Sequence, residues 1–131
     1  MKKTAKKKLK HSNLPKPKYA RGEVFLVNCE PSFDKYEIGK IRPGVNIQED
    51  IANELSPNVT FVPFSASNLK RNSLVHIPIG KGEGGVNKKC FALCDQIRTI
   101  SKARVIGRMG SLKKTKMDII DEGIKIHLDL T

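Results

Sequence analysis

Short apolar runs closed by turn-forming residues recur along this chain, and only its C-terminal stretch switches to helical spacing. Glu23-Val24-Phe25-Leu26-Val27-Asn28-Cys29 is rich in β-formers and stops at Pro31-Ser32. Asn58 to Phe64, Leu74 to Ile79, Cys90 to Cys94 and Val105 to Met109 are runs of the same kind, and Val45 to Ile47 continues another strand. Glu49 to Leu55 has room for about two helical turns before Ser56-Pro57 stops them. Leu112, Met117, Ile120, Ile124 and Leu128 fall on one face of a final helix, with Ser111 as its N-cap. Such a stripe is ordinary core packing rather than a cofactor box. Six short strands and one long terminal helix predict a mainly β domain with helices (α+β), a small, strongly bent sheet or barrel closed on one side by that helix.

A chain of 131 residues with 38% hydrophobic content makes one domain with its own core. The formal charge is +12, and residues 1–20 hold eight lysines and no acid, which leaves +4 for residues 21–131. Residues 1–20, interrupted by Pro15 and Pro17, have no periodicity and read as a disordered arm. The domain at 21–131 keeps a basic bias compatible with a polyanionic ligand. Cys29, Cys90 and Cys94 lie in or beside apolar runs without metal spacing, and His11, His76 and His127 are scattered singly. These read as reduced, buried thiols and as no metal site. Neither a signal-peptide core nor a membrane-spanning run is present in the sequence, so the expected location is the cytoplasm, with no membrane partner.

One stretch fixes a charge between rigid backbone elements: Gly39-Lys40-Ile41-Arg42-Pro43-Gly44-Val45-Asn46-Ile47. Pro43 biases Arg42 toward an extended conformation, and Gly39 and Gly44 permit tight turns or close backbone approach beside it. A guanidinium held in this way suits bidentate phosphate binding, although a solvated arginine at a strand entrance has the same local sequence. Residues 30–41 form a polar loop long enough to act as a mobile flap over Arg42. Its aromatics Phe33 and Tyr36 are stacking platforms for unpaired bases, whereas Phe64 fits the core better. Ser65-Ala66-Ser67 is a hydroxyl-bearing turn after the third strand, followed by a basic turn at Asn68 to Ser73. Gly80 to Gly85 is a flexible hairpin loop without the ending of a Walker phosphate loop.

RGEVFLVN, IRPGVNI, VTFVPFSAS, CDQIRTIS and GRMGSL, in that order before a helix, resemble the MazF/PemK (Kid) toxins of bacterial toxin-antitoxin pairs. The resemblance covers about residues 21 to 130 and leaves the lysine-rich arm outside. It implies an SH3-like barrel, a homodimer, cleavage of single-stranded RNA at short motifs with no metal or other cofactor, and neutralisation by a cognate antitoxin. The catalytic arginine and turn hydroxyl of MazF-like members fall on Arg42 and Ser65, where serine replaces threonine and keeps the hydroxyl. The catalytic aspartate of Kid-like members falls on Asp95. The Kid arginine two residues earlier is matched by Leu93, and the Kid loop histidine has no counterpart between Cys29 and Arg42, which favours the MazF-like arrangement. The RNA-binding set that accompanies this resemblance is Glu23, Lys40, Ser67, Lys70, Gln96 and Arg98.

Several residues keep two readings. Asp95 is either a general base or a strand-end carboxylate that caps a turn or pairs with Arg98. Gln96 either reads a base edge or satisfies backbone, and Arg98 either pairs with Asp95 or holds phosphate. For the whole chain the rivals are a non-enzymatic toxin like CcdB, similar in fold, and an RNA-binding module that does not cut. The first has no need of the arginine and hydroxyl that Arg42 and Ser65 supply, and the second draws on the charge of the lysine-rich arm and on serine in place of threonine at Ser65.

Overall fold

The computed structural model describes residues 18–32, 34, 37–67 and 71–130. These contain seven strands and two α-helices: β1 (Glu23–Asn28), β2 (Ile41–Asn46), α1 (Asp50–Leu55), β3 (Asn58–Ser65), β4 (His76–Ile79), β5 (Cys90–Leu93), β6 (Arg98–Ser101), β7 (Val105–Ser111) and α2 (Lys114–Leu128). The strands make one sheet in the order β4-β5-β3-β2-β1-β7, with β6 paired to the first half of β3. Every pairing is antiparallel. The expected mainly β class with a long C-terminal helix holds.

β3 is the strand on which the sheet is organised. Val59 and Phe61 face a cluster with Phe25, Val27, Cys29 and Ile100, whereas Val62 and Phe64 face the main cluster with Val24, Val45, Ile77, Ile79 and Ala92. Alternation thus sends successive side chains from Phe61 to Phe64 into two apolar layers, which is why this part of β3 has no polar face. Leu112, Met117 and Ile120 bring α2 onto the main cluster. Close approach of β2 to β3 requires Gly44, since a Cβ there would lie 2.5 Å from Cδ2 of Phe61.

Four local expectations change. Arg98–Ser101 is a seventh strand, although its only buried residue is Ile100, opposite Val59. The pairing adds a 2.6 Å contact between the hydroxyls of Thr60 and Thr99, so a mostly polar run is held as a half-exposed edge. Ser111 is not a helix cap: pairing with Glu23 extends β7 through it, and Lys113 takes the cap position without a side-chain bond. The Gly80 to Gly85 loop is packed, with a 3-10 turn at Glu83–Gly85, the Gly80 amide bonded to Oε1 of Glu83 at 2.7 Å, and Gly84 buried against Val24 and Leu112 at φ 61°. Leu128 ends the helical stripe 51% exposed, off the core that Met117 and Ile120 reach.

The packed domain starts slightly before Arg21. Tyr19 packs at a tilt against Phe25 with ring centroids 5.4 Å apart, and the buried Ala20 donates its amide to Oε1 of Glu23 at 2.9 Å. The lysine-rich arm through residue 17 lies outside the described residues.

Candidate active site

Arg42 and Ser65 come from β2 and β3 and line the same open cleft of about 470 Å³. The flap residues Glu30, Ser32, Asp34, Glu37, Ile38, Gly39 and Lys40 form one wall, and Ser67, Arg71, Leu93 and Gln96 complete the other. β2 begins at Ile41, so Arg42 sits inside a strand paired across to Val27 and does not merely precede one. Its Nε donates to the Gly39 carbonyl at 2.6 Å, which anchors the guanidinium by one edge. The two terminal nitrogens make no hydrogen bond among the described residues and remain available to a ligand.

The flap end that holds this anchor is tightly built. The Lys40 amide donates to Oε1 of Glu30 at 2.6 Å, and the Lys40 carbonyl accepts from the Cys29 amide at 2.8 Å. Lys40 itself is left-handed at φ 65°, a conformation uncommon outside glycine. At Gly39 a Cβ would collide with Oε1 of Glu30 and lie 2.7 Å from Oγ of Ser32, so only glycine lets the carboxylate close over this turn.

Ser65, at the end of β3 and 5% exposed, has its hydroxyl oxygen 3.2 Å from both the Ser67 amide and Nη2 of Arg71, which donate to it. The first contact is the local turn that serine favours after a strand. Arg71 also lies over the ring of Phe91, with its guanidinium carbon 5.7 Å from the centroid.

Gln96 accepts the Ile38 amide at 3.4 Å through Oε1, tying the flap to the short 3-10 turn at Cys94–Gln96. A second depression of about 280 Å³, lined by Glu37, Ile38, Gln96, Ile97 and Arg98, shares three of those residues with the cleft and extends it along the flap. Arg98 reaches past this wall to donate to the Cys29 carbonyl at 2.5 Å, and so does not pair with Asp95. Arg104 likewise donates to the Glu30 carbonyl, so two guanidiniums hold the chain where β1 leads into the flap.

Asp95 does not line the cleft, and its Oδ1 meets Nε2 of His76 at 3.0 Å. Nδ1 of His76 accepts the Asn72 amide at 2.8 Å, so the neutral ring carries its proton on Nε2 and donates it to Asp95. Glu23 is also remote: it is buried at the start of β1, holding the Ala20 amide and pairing with Arg108. A carboxylate engaged there braces the β1–β7 ladder. The fold therefore brings Arg42, Ser65, Lys40, Ser67 and Gln96 together, sets Arg98 at the adjoining depression, and leaves Asp95 and Glu23 elsewhere. Lys70, Phe33 and Tyr36 lie outside the described residues.

Comparison with known proteins decides which family this geometry belongs to. Residues 20–128 match the model described as PemK-like, MazF-like toxin of type II toxin-antitoxin system. The chain belongs to this toxin family. It is 33% identical over 110 residues to the Endoribonuclease EndoA of Bacillus subtilis, covering 84% of this chain and 94% of that one. Among solved structures it is similar in fold to the Mycobacterium tuberculosis toxin MazF-mt6, with a TM-score of 0.67 at 19% identity over 83% of this chain and 98% of that one. It is equally similar, at 0.67 and 16% identity, to an endoribonuclease from a mycobacterial species solved with its cognate antitoxin, over 85% and 95% of the two chains.

In this PemK/MazF-like toxin, two cleft features escape the sequence. Arg71 lies six residues past Ser65 in a turn readable only as basic, and the sheet gives no periodic signal there. The acidic wall of Glu30, Asp34 and Glu37 belongs to a loop whose course is set by tertiary contacts. The three thiols are free and buried. Burial raises the pKa of Cys29 even though Arg98, Arg42 and Arg104 oppose it, and pushes Cys90 up to about 11. Cys94 is pushed up to about 12 by burial, with Asp95 and Asp121 adding to the effect. Among the described residues no three His, Cys, Asp or Glu side chains gather into a metal-binding group, and no helix is long and apolar enough to cross a membrane.

Proposed function

We propose that the chain is an endoribonuclease toxin that cuts single-stranded RNA, messenger RNA above all, in the cytoplasm, and that a cognate antitoxin restrains it. One observation carries this reading: an anchored arginine, whose terminal donors make no hydrogen bond among the described residues, and a buried serine hydroxyl share one open cleft. The reaction is attack of the ribose 2′-hydroxyl on its neighbouring phosphate, which leaves a 2′,3′-cyclic phosphate and a 5′-hydroxyl and needs no metal. Arg42 supplies two parallel donors to the phosphoryl oxygens as they gain charge. A guanidinium does not surrender its proton, so Arg42 is an electrostatic group and not the acid or base.

Proton movement needs a different residue type. The cleft contributes the carboxylates Glu30, Asp34 and Glu37. Glu37 lines both the cleft and its extension, which makes it our assignment for the group that accepts the 2′-hydroxyl proton. Asp95 acts at one remove by holding His76, and with it the turn behind Arg71. Lys40, Ser67, Gln96 and Arg98 flank the path of the RNA.

The antitoxin proposal rests on solved relatives in complex with theirs, including MazE-MazF from Deinococcus radiodurans. The homodimer proposal draws support from Ile119, Ile126 and Leu128, apolar and about half exposed on α2. The decisive test is incubation of the purified protein with one long single-stranded transcript in EDTA, followed by end analysis of the fragments. Discrete fragments with 2′,3′-cyclic phosphate and 5′-hydroxyl ends are expected. Dependence on Mg²⁺ or 5′-phosphate ends would refute the chemistry.

A further inference from the structure

Ser65 has one hydroxyl proton and two lone pairs. Its oxygen accepts from the Ser67 amide and from Nη2 of Arg71, each at 3.2 Å, so both lone pairs are engaged. The proton is the remaining hydrogen-bonding function, and a hydroxyl so placed donates into the cleft and cannot accept there. Arg71 is thus more than a neighbour of the hydroxyl. It determines which way the hydroxyl acts.

The surroundings of Arg71 point the same way. Phe91 and Ser65 are directly opposite one another across the β3–β5 pairing, and Arg71 spans them, its guanidinium over the ring and one terminal nitrogen on the hydroxyl. Its Nε is buried without a hydrogen-bond partner among the described residues, and no carboxylate of those residues pairs with it. Stacking holds a guanidinium in place without neutralising it, and a partly desolvated cation lacking a counterion favours an incoming anion. The turn behind it is fixed by the Asn72 amide on Nδ1 of His76 and by Nε2 of His76 on Asp95.

We propose that Arg71 is a second phosphate-binding arginine of this cleft, facing Arg42 across the substrate, and that it holds Ser65 as a hydrogen-bond donor to the same phosphate. This rests on the ribonuclease reading above. Two guanidiniums and one hydroxyl then surround the non-bridging oxygens, and Ser65 takes no part in proton removal.

The test compares wild type with Arg71→Ala, Arg71→Lys, Arg42→Ala, Ser65→Ala and the Arg71→Ala/Ser65→Ala double variant. The readouts are kcat and KM on one mapped single-stranded RNA, plus the salt dependence of binding to the same sequence made with 2′-O-methyl nucleotides. Arg71→Ala is expected to lower kcat by roughly 10- to 100-fold and to reduce the salt slope by about 1. Arg71→Lys should restore the slope but not kcat, because an ammonium does not reproduce the fork. Arg71→Ala should cost less in the Ser65→Ala background than alone, since part of its effect runs through the hydroxyl. Wild-type kcat and slope in Arg71→Ala would overturn the proposal, and so would full kcat in Arg71→Lys. If wild type does not cut RNA, the ribonuclease reading itself fails, whereas full-rate cutting by Arg42→Ala would refute the clamp that Arg71 is said to face. An inactive Arg42→Ala beside an unaffected Arg71→Ala would sink only the second arginine.

Discussion

Replacing Arg42 by alanine removes one anchored, bidentate donor from the cleft and little else. The side chain is half-buried, and its one bond among the described residues is from Nε to the Gly39 carbonyl at 2.6 Å, so stability should fall by only about 1 kcal/mol. Catalysis should suffer much more. A pre-aimed donor to charge that develops only in the transition state is worth about 10² to 10³ in rate, or about 2.7 to 4 kcal/mol. Binding of uncut RNA loses one phosphate contact and should weaken far less, so the loss should appear mainly in kcat. Arg42→Lys keeps the charge, yet it lacks the Nε that holds the Gly39 carbonyl and the parallel pair of donors, and it should stay within about tenfold of alanine. Single-turnover cleavage of a labelled RNA, with binding measured on its 2′-O-methyl counterpart, separates the two effects. Equal loss of binding and rate, or rescue by lysine, would show that Arg42 is a general electrostatic contact and not a transition-state clamp.

Glu37→Gln should lower kcat by roughly 10² to 10³, while Asp95→Asn, which acts only through His76, should cost much less in the same single-turnover assay. Gly44→Ala would set a Cβ 2.5 Å from the Phe61 ring and 3.1 Å from the Val62 carbonyl oxygen, and should lower stability by about 1 to 3 kcal/mol in urea titrations. The thiol pKa values of about 11 for Cys90 and about 12 for Cys94 are raised from 9.0, so unfolded chains lose these protons first. Stability is therefore fully present below about pH 9 and falls as pH rises toward 12, by up to about 1.4 kcal/mol per pH unit and thiol, and Cys94→Ala should reduce that slope. Removing residues 2–17, which hold seven of the lysines, should weaken RNA binding and flatten its salt dependence without moving the cut positions; moved cuts would mean that the arm reads bases.

The class of fold was written in local spacing. Runs such as Glu23 to Cys29 and Asn58 to Phe64 are β-forming because of their side chains, and Met117 and Ile120 reach the core because a helix returns them to one face. Arg42 was legible for a similar reason, since Pro43 and Gly44 restrict the backbone around it whatever the rest of the chain does. Local restriction does not decide neighbours. Arg98–Ser101 became a strand because Val59 and Thr60 were there to pair with, and Ser111 was drawn into β7 by Glu23. Asp95 was equally suited by sequence to a base or a turn cap, and His76, nineteen residues away in the chain, settled its partner. The same holds for Ser65. Its hydroxyl was visible in the sequence, but the direction in which it acts depends on Arg71 reaching it across Phe91, a contact created when β3 pairs with β5. Residue types set what each group can do, and the closing of the sheet chose which groups meet, because long-range pairing sets distances that no local pattern records.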